Sequence, residues 1–165
     1  MAEEKNLPMI QVNAQYIKDL SFEAPEMPFI VKGMTQMPQI DLKINVKADP
    51  VPEVQTDYTV ELSMKATATI GEKTAFICEI TYGALVSLNV PEEHVQPLLL
   101  IEVPHLLFPY VRSVLSNVTR EAGFPPLAVN PIDFAALFRQ QAANIQTKEV
   151  AEEKPAEEKK PAKKK

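Results

Sequence analysis

The side chains that most often carry covalent or metal chemistry are scarce in this chain. Its 165 residues include one cysteine, Cys78, and two histidines, His94 and His105. His94 follows Glu92 and Glu93 in a stretch expected to be a loop, and His105 stands between Pro104 and Leu106 at the approach to a helix. A protein zinc site needs three or four ligands converging on one point, and neither histidine belongs to such a cluster. No HExxH, CxxC or phosphate-loop motif is present, and four glycines leave little material for a phosphate cradle. Ser87, Ser113 and Ser116 have no base beside them in sequence. Glu92 and Glu93 sit beside Pro91 and read as a solvated pair. Cys78 lies among apolar neighbours and reads as a small buried or interfacial hydrophobe. No catalytic, cofactor or metal site is expected, and the chain is expected not to be an enzyme.

What remains is surface for binding. The net charge is -5 and unevenly spread: residues 1–147 carry 10 basic and 17 acidic side chains, residues 148–165 seven lysines and five glutamates. An acidic body argues against a nucleic-acid partner, because duplex binding draws heavily on phosphate neutralisation. It suits a positively charged protein partner. The opening residues MAEEKNLPMI lack the basic and apolar regions of a secretory signal. Uninterrupted apolar runs fall short of the roughly 20 residues that span a bilayer. A cytoplasmic protein without membrane insertion is expected.

Periodicity marks out the strands and helices that carry these side chains. Ile10, Val12 and Ala14 alternate with polar residues over 10–18, with Tyr16 continuing the apolar phase. The segment DLSFEAPEMPF, 19–29, then interrupts, and Pro25 and Pro28 keep it out of a sheet interior. Ile40, Leu42, Ile44 and Val46 mark a second strand. Val60, Leu62, Met64, Ala66, Ala68 and Ile70 share one face of a third, over 58–70. Gly71-Glu72-Lys73 is a short turn into a fourth, 74–82, where Gly83 is a possible break before resumption through Leu85 to Val90. Phe76, Cys78, Ile80 and Tyr82 share one face of this strand, which packs under a helix or joins another subunit; Ile77 and Glu79 point the other way. Leu107, Val111, Val114, Leu115 and Val118 form a helical stripe that ends at Gly123. Asn130, Pro131 and Asp133 read as cap, N1 and N3 of a second helix, with Val129 and Phe134 as a hydrophobic staple. The fold class is α+β: a four-stranded antiparallel sheet with two helices in the C-terminal half. Residues 1–9 are expected to be flexible, 10–147 to form the domain, and 148–165, rich in Lys, Glu, Pro and Ala, to be disordered.

Four segments in this order, DLSFEAP at 19–25, TAFICEI at 74–80, LLFPYVRSVLSNVTREAGFPPL at 106–127 and NPIDFAALF at 130–138, resemble the SecB family of protein-export chaperones over roughly residues 10–143. The resemblance implies a cytosolic homotetramer, a dimer of dimers. Such a protein uses neither ATP nor metal, binds unfolded precursor proteins, keeps them translocation-competent and delivers them to the SecA translocation ATPase. Matched by position, Asp19, Glu23, Ile77 and Glu79 fall on the family's SecA-contacting face, and Cys78, Ile80 and Tyr82 on positions linked to subunit association. The client groove would draw on Phe22, Phe29, Met34, Phe124, Pro125 and Leu127. One departure stands out: better-known members end in a polar or acidic tail that also touches SecA, whereas this chain ends PAKKK. The alternative reading is a general holdase or scaffold with no translocase partner.

Overall fold

The computed structural model describes residues 9–140 and 142. Four strands, β1 (Ile10–Glu23), β2 (Gln39–Pro50), β3 (Asp57–Ile70) and β4 (Lys73–Leu88), form one antiparallel sheet in the order β1-β4-β3-β2. The four-stranded α+β architecture read from the sequence is present. The expected tail, 148–165, and residues 1–8 lie outside the described residues.

β3 and β4 carry the core, β3 by regular alternation and β4 by alternation from Phe76 onward that is interrupted only at the buried Gly83. Val60, Leu62, Met64, Ala66 and Ala68 are buried at every second position of β3. They pair with Ala84, Tyr82, Ile80, Cys78 and Phe76 of β4, so the two sets share one face. Gly71 opens the two-residue turn between Ile70 and Lys73 with φ 61, the sign a type II′ turn needs at that position. β4 does not break at Gly83. It runs on to Leu88, since Gly83 sits in a central strand with both neighbours paired.

The chain passes from β1 to β2 across one end of the sheet. Residues 19–23, expected to interrupt, instead complete β1. Only the second half of that segment leaves the sheet, at Ala24 and Pro25. The Met27–Pro28 peptide is cis, and a 3-10 turn, Phe29–Gly33, comes next. Glu26 anchors the crossover to Lys73, 3.4 Å away.

A long helix covers the apolar face. It begins at Glu92, not near His105, and has three parts: α1 (Glu92–Pro97), a π turn (Leu98–Glu102) and α2 (Val103–Glu121). Three internal prolines hid its start. The π turn shows how it survives them: Val103 N–H reaches back five residues to the Leu98 carbonyl, so the helix widens just where Pro104 has no donor and its ring would crowd the preceding turn. Glu92 and Glu93 are therefore first-turn acids, favourably placed against the helix dipole. Spanning 30 residues with mean hydropathy 1.5 over its most apolar window, Glu92–Glu121 is long and apolar enough to cross a bilayer. Its inner face, however, is the lid of the sheet: Val103, Leu107, Phe108, Val111 and Leu115 are buried, with α2 over β3 and β4 and the π turn over β2 and β3. Val114 and Val118, expected on that stripe, are half-buried at its margin.

Gly123 ends α2 as the sequence predicts. Its φ is 87, Phe124 N–H bonds to Thr119 O at 3.1 Å and Gly123 N–H to Arg120 O at 3.0 Å, the two reversed bonds of a Schellman stop. The buried Thr119 hydroxyl then ties the returning chain to the helix: it donates to Leu115 O at 2.9 Å and accepts from Leu127 N–H at 2.9 Å. The return segment thus places Phe124, Leu127 and Val129 in the core. The chain divides into two units after Phe134. Phe134 closes the first by packing edge-on to His105 and Phe108. A further helix runs over 134–140, so Asn130 and Pro131 precede it and Asp133 stands directly before its first residue.

Gly83 has one specific steric duty. A Cβ there would stand 2.6 Å from the ring of Tyr16, which crosses over it from β1. Gly83→Ala should lower unfolding free energy by about 1–3 kcal/mol, the usual range for overpacking. Adding Tyr16→Ala should make the double variant less destabilised than the sum of the single changes in denaturant titrations. Additive losses would show that the ring does not depend on the glycine.

Candidate functional site: the two faces of the sheet

β1 decides which side chains reach solvent, and it does so by changing phase twice. Ile10 and Val12 pair with Leu88 and Val86, under the helix. The register then slips between Val12 and Ala14, so Ala14 and Tyr16 pair with Leu85 and Gly83 on the open face. The extra residue, Asn13, donates to Ser87 Oγ at 2.7 Å. Ala14 and Tyr16 therefore do not share a face with Ile10 and Val12, as simple alternation had implied.

A second slip between Ile17 and Asp19 leaves Lys18 as the extra residue. A bulge of this kind lets two consecutive side chains leave the same side of a strand. Lys18 bridges to Glu61 of β3 across Gly83, and Asp19 pairs with Thr81, both on the open face. From there Ser21 faces Glu79 and Glu23 faces Ile77, while Leu20 and Phe22 turn under the helix against Ile80 and Cys78. Without the second slip, Leu20 and Phe22 would be in solvent and Asp19 and Glu23 beneath the helix.

The open face therefore brings together all four residues of one expected set: Asp19, Glu23, Ile77 and Glu79. The sequence reading missed the cations beside them. Lys65 forms an ion pair with Glu79 directly across the β3–β4 ladder. Lys47 pairs with Asp49 at 2.7 Å; that hydrogen bond and charge hold its ammonium above its ordinary pKa. The Gly71 turn alone would set Lys65 against Cys78; a one-residue register shift between Ala68 and Thr69 brings Glu79 opposite instead, which is why the sequence did not reveal the pair. Asp19 and Glu23 make no ion pair or side-chain hydrogen bond among the described residues.

Cys78, Ile80 and Tyr82 lie on the opposite face and are buried within the chain. The Tyr82 ring stacks on Tyr110 of α2 with centroids 6.0 Å apart, and its hydroxyl donates to Gln15 Oε1 at 3.4 Å. Burial, and then the neighbouring Glu79 charge, push the Cys78 thiol up to about 11. It is an inert packing group, without the electropositive setting of a reactive cysteine. Among the described residues no group of three or more His, Cys, Asp or Glu is placed to hold a metal.

The candidate groove residues divide. Phe22 and Phe124 meet, centroids 6.4 Å apart, and both pack on Phe76, which the sequence reading had not enlisted. Phe124 and Leu127 are buried, while Met34 and Pro125 are half-buried. Phe29 stands apart on the crossover, 75% exposed, with Val31, Met37 and Ile40 also exposed on or beside it.

Residues 3–145 match the family described as preprotein translocase subunit SecB. The chain belongs to the SecB family. The protein-export protein SecB of Rhodospirillum rubrum is 43% identical over 86% of this chain and 87% of its own length. That of Bradyrhizobium sp. is 46% identical over 81% and 82%. Among solved structures, a SecB-like chaperone of Mycobacterium tuberculosis, in complex with a ChAD peptide from an antitoxin, shares the fold. Its TM-score is 0.64 at 16% identity, covering 75% of this chain and 91% of that one. With the SecB family come its class properties: this is a non-catalytic, cytoplasmic chaperone of protein transport.

The inertness of Cys78 is measurable. A thiol pKa raised from 9.0 to about 11 stabilises the fold fully below pH 9 and loses that contribution as pH rises through about 11. Native protein should resist an aromatic disulfide reagent at pH 8 and react once unfolded. Cys78→Ala should flatten the alkaline limb of the stability curve. Fast labelling of the native state would show the thiol to be open to solvent.

Proposed function

We propose that this chain holds unfolded precursor proteins in a translocation-competent state and delivers them to the SecA translocation ATPase, as a homotetramer built from two dimers. The observation that carries the delivery step is the gathering of Asp19, Glu23, Ile77 and Glu79 on the open face of two adjacent strands, with both β1 acids unpaired among the described residues. Unpaired carboxylates around an isoleucine suit a basic partner surface with one apolar contact.

Client holding is supported by the crossover. Phe29 and Met37, each 75% exposed, and Val31 offer adaptable apolar contacts that the fold itself does not use. Burial of client surface supplies about 25 cal/mol per Å2, opposed by the ordering of an unfolded guest. Several grooves in one assembly would raise effective concentration. Assembly is supported by apolar exposure at the β1 edge on the helix side, where Ile17 is 47%, Leu20 40% and Tyr110 50% exposed. Because Cys78, Ile80 and Tyr82 are internal, their influence on association would pass through the Tyr82–Tyr110 stack.

The structure selects the variants for the test. Glu79→Lys also breaks the bridge to Lys65, so Asp19→Lys with Glu23→Lys is the cleaner probe. That pair should abolish co-elution with purified SecA while an unfolded precursor still binds. Phe29→Ser with Met37→Ser should weaken precursor binding yet shift stability by less than about 0.5 kcal/mol, as expected for exposed positions. Light scattering on the parent protein should give the mass of four chains of 18.4 kDa. Precursor binding with no SecA binding by the parent protein would leave a general holdase.

A further inference from the structure

The open face is not uniformly acidic, and unpaired groups of opposite sign stand at the two ends of one trough. Strand register sets Asn45, Ser63, Thr81 and Asp19 in one row across all four strands, and Lys43, Lys65, Glu79 and Ser21 in the next. Between these rows runs a trough of about 180 Å3. Its centre is internally satisfied, since Lys65 bridges Glu79 and the Ser63 and Thr81 hydroxyls share a hydrogen bond of 3.0 Å. Its ends are not. Among the described residues, Lys43 and Asn45 at the β2 end and Asp19 at the β1 end make no side-chain hydrogen bond or ion pair.

Lys43 is an unusual residue to find there. It directly faces Lys65, and like charges opposite one another across a ladder are unfavourable. Asp41 lies two residues away on the same face but forms no bridge to it, whereas Lys47 does bridge Asp49 at the same spacing. Among the described residues no ion pair or hydrogen bond uses the Lys43 charge, and the side chain is exposed. Three strand spacings separate the β2 end from Asp19, about 14 Å.

We propose that the partner contact on this face is two-signed: a partner carboxylate seats on Lys43 and Asn45 while a partner cation seats on Asp19, about 14 Å away. This deepens the docking role proposed above and rests on it. The occupant is a segment of the translocation ATPase carrying both an acid and a base, in place of a purely basic one. Two opposed charges also fix which way the segment lies across the strands, which one sign alone does not.

The sign of one variant decides the matter. Against a purely basic partner, Lys43→Glu adds attraction and tightens binding. Against a two-signed partner it places an acid on an acid and weakens binding, by about tenfold at low salt. Binding of the full chain to purified SecA would be measured for Lys43→Glu, for the neutral Lys43→Met, which cannot divert Lys65 from Glu79, and for Lys32→Glu, an equal charge change on the crossover. Weakening by both Lys43 variants, with Lys32→Glu unchanged, is the expected result. Tightening or no change at Lys43, while Asp19→Lys still abolishes binding, overturns the two-signed contact and leaves the acidic docking face standing. No binding by the parent protein overturns both. Denaturant titration of each variant checks the fold, and Lys43→Glu should be at least as stable as the parent because it removes the repulsion with Lys65.

Discussion

A strand presents its side chains to two sides with a period of two, so a single inserted residue exchanges everything beyond it. In this protein that arithmetic is concentrated at Lys18. The extra residue turns Asp19, Ser21 and Glu23 to the open face and Leu20 and Phe22 to the helix. The same side chain then secures the bulge by bridging to Glu61, across a glycine that the Tyr16 ring covers. The acidic surface and the aromatic cluster are thus two consequences of one local irregularity. A change that removed the bulge would damage both together.

The other face depends on a helix that the local sequence resists. Pro97, Pro104 and Pro109 each remove a helical donor, and the π turn takes up the misfit between the first two. What holds the helix is its inner face against β3 and β4, together with a defined stop: glycine at 123, reversed backbone bonds and a threonine hydroxyl that ties Leu127 back to the helix. The rings of Phe22, Phe76 and Phe124 then join the first strand, the fourth strand and the return segment at one point.

Much of this was legible from the chain alone where local and global signals agree. The faces of β3 and β4, the Gly71 turn, the Gly123 stop and the opposition of Ile77 and Glu79 to Cys78, Ile80 and Tyr82 all stem from alternation and glycine placement. The misses lie where tertiary packing overrides a local rule. Two bulges break the parity of β1, and nothing in its composition marks Asn13 or Lys18 as extra. Prolines masked the helical residues 92–104 ahead of His105. Asp133, read as the third residue of the last helix, precedes it, since the chain stays irregular through Asp133. The cations of the open face escaped notice because cross-strand pairing, not sequence proximity, sets Lys65 against Glu79.

Strand order also sets a schedule. β3 and β4 meet through a turn of two residues, but β1 reaches β4 only by closing loops of 54 to 78 residues, from Glu23 against Ile77 to Ile10 against Leu88. Closure entropy grows with loop length, and contacts distant in sequence slow folding. During synthesis β1 leaves the ribosome long before its neighbour β4 exists. Until Cys78 and Ile80 have emerged, Phe22 and Leu20 have no β4 to lie against. A chaperone of protein transport thus carries, during its own synthesis, an unpaired apolar segment.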